Sequence, residues 1–158
     1  MSNHQSEHVV RLEKESIQAE IARFLSGHGM RLELVEANHE IPGSFWGDDE
    51  AGLIGDCLYA RPDTPIHSVL HEACHYLCMD EQRRADLHTN AGGDYDEENA
   101  VCYLQILLAD EIEGYSSERC MADMDAWGYT FRLGSAKAWF ENDAEDARGW
   151  LEERGIMG

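Results

Sequence analysis

The chain has 158 residues, of which 43% are hydrophobic and 32 are acidic against 12 basic, so its formal net charge is −20. This length and composition predict a single globular domain over residues 1–158, in which residues 1–8 form a flexible tail. Nucleic acid is disfavoured as a partner because its phosphates attract clustered Lys and Arg, whereas the acidic surface suits a basic partner or substrate.

Two further properties of the composition bear on the compartment. The five cysteines are an odd number without the spacing of a disulfide framework, which predicts reduced thiols. No stretch approaches the ~18 consecutive apolar residues of a membrane span, and the N-terminal residues are too polar for a signal peptide. We therefore expect a cytoplasmic protein with no membrane partner.

The first third of the chain shows helical and strand patterns in turn. Apolar residues at helical spacing predict a helix over residues 9–25, and alternating residues predict a half-buried strand over 31–36. A loop is expected over 38–51, followed by a second strand over 52–61 that lies beside the next helix. The edge of this second strand is expected to bind an extended peptide by strand addition.

The next helix carries the motif H-E-x-x-H, formed by His71, Glu72 and His75. Residues four apart lie on nearly the same face of a helix, so the two imidazoles point toward a common position and can bind one zinc ion. Glu72 lies at the flank of that position, where a carboxylate can take the proton of a water activated by the metal. The motif therefore predicts two metal ligands and a general base.

A third ligand is expected from the acidic start of a second helix over residues 94–110, because a catalytic zinc has three protein ligands and one open position. Glu97 is the first choice, since it shares a face with the apolar side chains expected to pack against the first helix. Glu98, 100° further round the axis, is the alternative. Cys78 and His67 continue the line of His71 and His75, and either could close the site as a fourth ligand.

The spacing of these residues resembles the ImmA/IrrE-type zinc metallopeptidases, a branch of the gluzincin-like zincins. The likeness covers roughly residues 40–110 and rests on H-E-x-x-H at residues 71–75, followed by Glu97-x-x-Ala100-x-x-Tyr103 and a pair of leucines. It implies a zinc ion on His71, His75 and Glu97, with Glu72 as the base that activates water. A peptide or protein is the substrate that this resemblance implies.

The C-terminal third reads as helical, with a short helix over residues 118–127 and a last helix capped by Ser135. The expected fold is therefore α+β: a minimal zincin-like domain whose small sheet packs on the H-E-x-x-H helix and the Glu-bearing helix. The expected function is zinc-dependent hydrolysis of a peptide bond. The alternative is a non-catalytic zinc-binding regulatory or interaction domain whose metal site is closed by a fourth ligand.

Overall fold

The computed structural model describes residues 9–42, 50–85 and 95–156. Within them the fold is α+β, as predicted, with seven α-helices and one three-stranded mixed sheet. The chain divides into two compact units, a sheet unit over residues 11–92 and a helical unit over residues 1–10 and 93–158. The predicted tail at 1–8 and half of the predicted loop at 38–51, residues 43–49, lie outside the described residues, and the single domain stays a prediction.

The sheet unit contains three helices and all three strands. In chain order they are α1 (Glu15–Gly27), β1 (Arg31–Leu34), β2 (Gly52–Ile54), β3 (Cys57–Ala60), α2 (Ile66–Cys78) and α3 (Glu81–Ala85). The helical unit contains the remaining helices, which are α4 (Tyr95–Ala109), α5 (Ser117–Trp127), α6 (Ala136–Asn142) and α7 (Glu145–Glu153). None of the helices in the described ranges has both the length and the apolar character needed to cross a membrane.

The sheet has β3 at its centre, paired in parallel with β1 and antiparallel with β2. The predicted single strand over 52–61 is therefore wrong in detail, because the chain reverses at Gly55 and makes a hairpin. Gly55 has a φ of 59°, a left-handed conformation that glycine adopts at little cost. Strand addition along the whole of 52–61 is accordingly excluded, since β3 has a neighbour on each side and, of the two strands in this range, β2 is the outer one.

Helix α2 packs against β2 and β3 with the apolar residues that its sequence places at helical spacing. Its first five residues, 66–70, are completely or almost completely buried, as are Ala73 and Cys74 further along. The hydroxyl of Thr64, just before the helix, accepts the N–H of Arg61 at 2.9 Å. The helix of the H-E-x-x-H motif is thus confirmed, and burial against the sheet fixes its position within the sheet unit.

The predicted helix over 9–25 begins six residues later than expected, at Glu15. The apolar residues ahead of it are used in tertiary contacts instead. Leu12 is buried and donates its backbone N–H to the carbonyl of Thr64, and Arg11 forms an antiparallel bridge with Pro65. These backbone bonds attach the segment to the chain just before α2, which a reading of helical spacing cannot anticipate.

In the helical unit, α4 packs against α5 and α7, and α5 packs against α6. Two helices of this unit have hydroxyl caps: Ser116 accepts the N–H of Arg119 before α5, and Ser135 accepts the N–H of Ala138 before α6. The single last helix of the prediction is interrupted at Asp143 and Ala144, where the backbone leaves the helical conformation, so it becomes α6 and α7.

Candidate metal centre

The two motif histidines lie one turn apart on α2, as the four-residue spacing requires. Their ring centroids are 4.9 Å apart and the ring planes meet at 77°. His75 is buried, with 4% of its surface exposed, whereas His71 is half-buried. Two imidazoles fixed so close on a buried helix can present their nitrogens to one ion.

Ser68 connects this helix to the outer strand of the sheet. Its hydroxyl accepts the backbone N–H of Ala51 at 2.9 Å, in a buried position one turn before His71. Ala51 directly precedes β2, so the bond fixes the start of the strand against the helix. Helix α2 therefore carries the two histidines and is also bonded to the start of the outer strand β2.

The other end of α2 is bound by Arg84 of α3. The Nε of Arg84 donates a hydrogen bond of 2.8 Å to the carbonyl of Tyr76, and its guanidinium carbon lies 4.3 Å from the centroid of the Tyr76 ring. Tyr76 follows His75 directly. This contact was not predicted from the sequence, although a basic side chain shortly after a helix end often donates to the last carbonyls of that helix.

His67 lies one turn before His71 and is completely buried. Burial above all, with smaller contributions from the nearby His71 and Arg11, lowers its pKa from the usual value near 6.5 to about 3. The imidazole is therefore neutral at physiological pH. A residue so enclosed is a core histidine of the sheet unit rather than a group presented to a ligand in solution.

One group of three side chains in the described part of the chain could hold a metal ion, and it consists of His71, His75 and Glu98. One ligand atom from each side chain lies within 4.8 Å of the other two. The donor set is two imidazole nitrogens and one carboxylate oxygen, which zinc accepts readily. This group could therefore hold a metal ion.

That group includes the alternative third ligand, Glu98, and not the first choice, Glu97. Glu97 is 4% exposed and Glu98 is half-buried, which follows from the 100° between consecutive helical residues. The prediction assumed that α4 has one apolar face, but buried residues occur around most of its circumference. The apolar pattern therefore could not identify which acid is presented to the histidines.

The other predicted site residues, Glu72, Cys78 and His67, all lie on α2. Glu72 is half-buried on α2, next to His71, in the place that the motif gives to the base. Cys78, the other candidate for a fourth ligand, is buried at the end of α2. Neither Cys78 nor His67 belongs to the metal-binding group found among the described residues.

Comparison of the chain with protein-family models, with curated proteins and with solved structures found no match in any of the three searches. The site is therefore interpreted from its own residues.

Proposed function

We propose that the protein is a zinc-dependent hydrolase, a metallopeptidase of the zincin type that resembles the ImmA/IrrE family. The observation that carries this proposal is that one ligand atom each of His71, His75 and Glu98 lies within 4.8 Å of the other two. His71 and His75 share helix α2 with Glu72. Three protein ligands leave one coordination position open, which is the arrangement of a catalytic site rather than a structural one.

In this mechanism three residues of the chain are metal ligands and a fourth is the general base. His71, His75 and Glu98 hold the ion, which when bound supplies the Lewis acidity that polarises a scissile carbonyl and acidifies a water molecule. Glu72 takes the proton of the attacking water and passes it to the leaving nitrogen. Glu72 is not among the three grouped ligands, so its role in this proposal is that of the base and not of a ligand.

The substrate that we propose is an extended and basic peptide. The net charge of −20 attracts cationic partners, and β2 offers an outer strand beside α2 with which an extended backbone can pair. The cysteines are all free and buried thiols, in keeping with a reducing compartment, and we propose a cytoplasmic location on that basis.

The first experiment measures zinc. We expect about one zinc per chain in protein purified under metal-free conditions and reloaded with zinc, and loss of tight binding in His71→Ala and His75→Ala. Chelation by two imidazoles needs both of them. Elemental analysis after gel filtration gives the stoichiometry. A double variant that retains the full zinc content would refute the metal site.

The second experiment distinguishes the two neighbouring glutamates. Glu98→Ala removes a carboxylate that is grouped with the histidines, so we expect zinc affinity to fall at least ~10-fold. Glu97→Ala is the matched control on the same turn of α4, with the same loss of charge, and it should leave zinc affinity nearly unchanged. Competition with a chromophoric chelator measures both. The opposite ranking would restore Glu97 as the third ligand and would leave the zincin assignment intact.

The third experiment tests turnover. Glu72→Gln keeps the size of the side chain and removes the base, so zinc should stay bound while peptide hydrolysis falls by ~10²- to 10⁴-fold. Basic extended peptides are the substrates to screen, with acidic peptides of equal length as controls. Equal cleavage by wild type and Glu72→Gln would refute the mechanism. If zinc binds but no peptide is cleaved, the non-catalytic zinc-binding domain becomes the better description.

A further inference from the structure

Arg84 makes two contacts with the residue that directly follows the second motif histidine. Its Nε donates to the carbonyl of Tyr76 at 2.8 Å, and its guanidinium carbon lies 4.3 Å from the centre of the Tyr76 ring. Arg84 is itself fixed, since its backbone N–H donates to the carbonyl of Asp80 and the carboxylate of Asp80 accepts the N–H of Arg83. The backbone of Arg84 is therefore bonded to Asp80, and its guanidinium contacts Tyr76.

The position of this contact is significant because α2 ends at Cys78 and His75 lies in its last turn. The last four carbonyls of a helix have no partner within the helix, and the final turn frays unless other groups bind them. Met79 donates its N–H to the carbonyls of His75 and Tyr76, and Arg84 adds a charged donor to the second of these. A cation at this end of the helix is also favoured by the helix dipole.

We propose that Arg84 is a positioning residue for the metal-binding pair, acting through Tyr76 to keep the last turn of α2, and with it the His75 imidazole, in the geometry that binds the ion. This inference rests on the proposed zinc site. A ligand held in its binding orientation loses less conformational freedom when the ion binds, so the apparent affinity is higher. Arg84 itself touches neither the ion nor the substrate.

A purely electrostatic effect would have the opposite sign, which makes the proposal testable. A guanidinium near a cation site repels the ion, so removing a positive charge should tighten zinc binding by a small factor. Arg83 is the matched control, because it is the neighbouring residue of the same short helix and has the same charge. If charge alone matters, Arg83→Ala and Arg84→Ala should change the affinity in the same direction.

The experiment measures zinc dissociation constants by chelator competition at a temperature far below the melting point of the metal-free protein. We expect Arg84→Ala to weaken zinc binding by about 10-fold and Arg83→Ala to leave it unchanged or slightly tighter. Arg84→Lys keeps the charge but loses the planar stacking, so an intermediate value is expected. Tyr76→Leu, which removes only the ring, should also weaken binding, whereas Tyr76→Phe should not.

The outcomes separate this inference from the proposed function. If wild-type protein binds no zinc, the proposed function fails and the inference fails with it. If wild type and Arg84→Ala bind zinc equally well, only the role of Arg84 is refuted. If metal-free Arg84→Ala has a lower melting point but an unchanged zinc affinity, the positioning role is also refuted, because the contact is then purely structural. Should Arg84→Ala fail to fold, Arg84→Lys and Tyr76→Leu decide the question by the same measurement.

Discussion

At the scale of single residues, Asp123 of α5 is a buried acid of the helical unit with three hydrogen-bond donors. Its carboxylate accepts the N–H of Val10 at 3.1 Å, the hydroxyl of Tyr115 at 2.9 Å and the Nε of Arg119 at 2.9 Å. Burial raises the pKa of this carboxyl although all three donors lower it, and burial likewise raises the pKa of the Tyr115 hydroxyl.

Replacing this carboxyl should therefore be costly. Asp123→Ala leaves a backbone N–H and a buried hydroxyl without their acceptor, and we expect it to lower the free energy of unfolding by roughly 3 kcal/mol. Asp123→Asn is the control, because an amide oxygen can still accept from these donors, and it should cost roughly 1 kcal/mol. Urea denaturation followed by circular dichroism measures both. Equal losses in the two variants would contradict the role of the hydrogen bonds.

His67 gives a prediction of pH dependence. Its pKa is about 3 in the folded protein and near 6.5 in the unfolded chain, so the unfolded state binds more protons between these values. The contribution of His67 to the free energy of unfolding is thus fully present above pH 6.5. It is lost as the pH falls toward 3, and the loss is on the order of 4 kcal/mol. We expect His67→Leu to flatten this part of the stability profile.

The profile should be measured by urea denaturation at several pH values, with a chelator present so that metal binding does not contribute. His39→Gln is the control, because His39 lies on the surface of the same unit. A His67→Leu profile that is as steep as that of the wild type would show that His67 is not the group responsible.

At the scale of elements, the bond between Ser68 and Ala51 links helix α2 to the start of β2. Ser68→Ala leaves a buried backbone N–H without its acceptor, so we expect the protein to lose roughly 1–2 kcal/mol of stability. Ser26→Ala, at an exposed site near the end of α1, makes the same chemical change and should have almost no effect. Thermal unfolding of the two variants would refute this link if their melting temperatures are the same.

At the scale of the whole molecule, charge is the dominant property. With 32 acidic and 12 basic residues, like charges repel one another in the compact state, whereas most of the described ion pairs are at least partly exposed and contribute little. Salt screens the repulsion. We expect the melting temperature of the metal-free protein to rise by several degrees between about 10 mM and about 300 mM NaCl.

Choline chloride at equal ionic strength is the control, since screening depends on the concentration of ions rather than on their identity. A melting temperature that falls with added salt would mean that the ion pairs stabilise the fold more than the excess charge destabilises it.

The features that the sequence determined are those that depend on neighbours along the chain. The H-E-x-x-H helix, the second ligand helix, the caps at Ser116 and Ser135 and the α+β class all follow from local spacing, local hydrogen bonding or composition. In the same way, the approach of His71 to His75 is fixed by the pitch of a single helix. Such features need no knowledge of where the rest of the chain lies.

The features that only the tertiary structure decided depend on groups distant in sequence. Residues 9–14 could not be recognised as non-helical, because Leu12 donates its backbone N–H to the carbonyl of Thr64, which is distant in sequence. The outer position of β2 depends on β1 pairing with the far side of β3. The choice between Glu97 and Glu98 was likewise beyond the sequence, because α4 is buried around most of its circumference and its apolar pattern selects no single face.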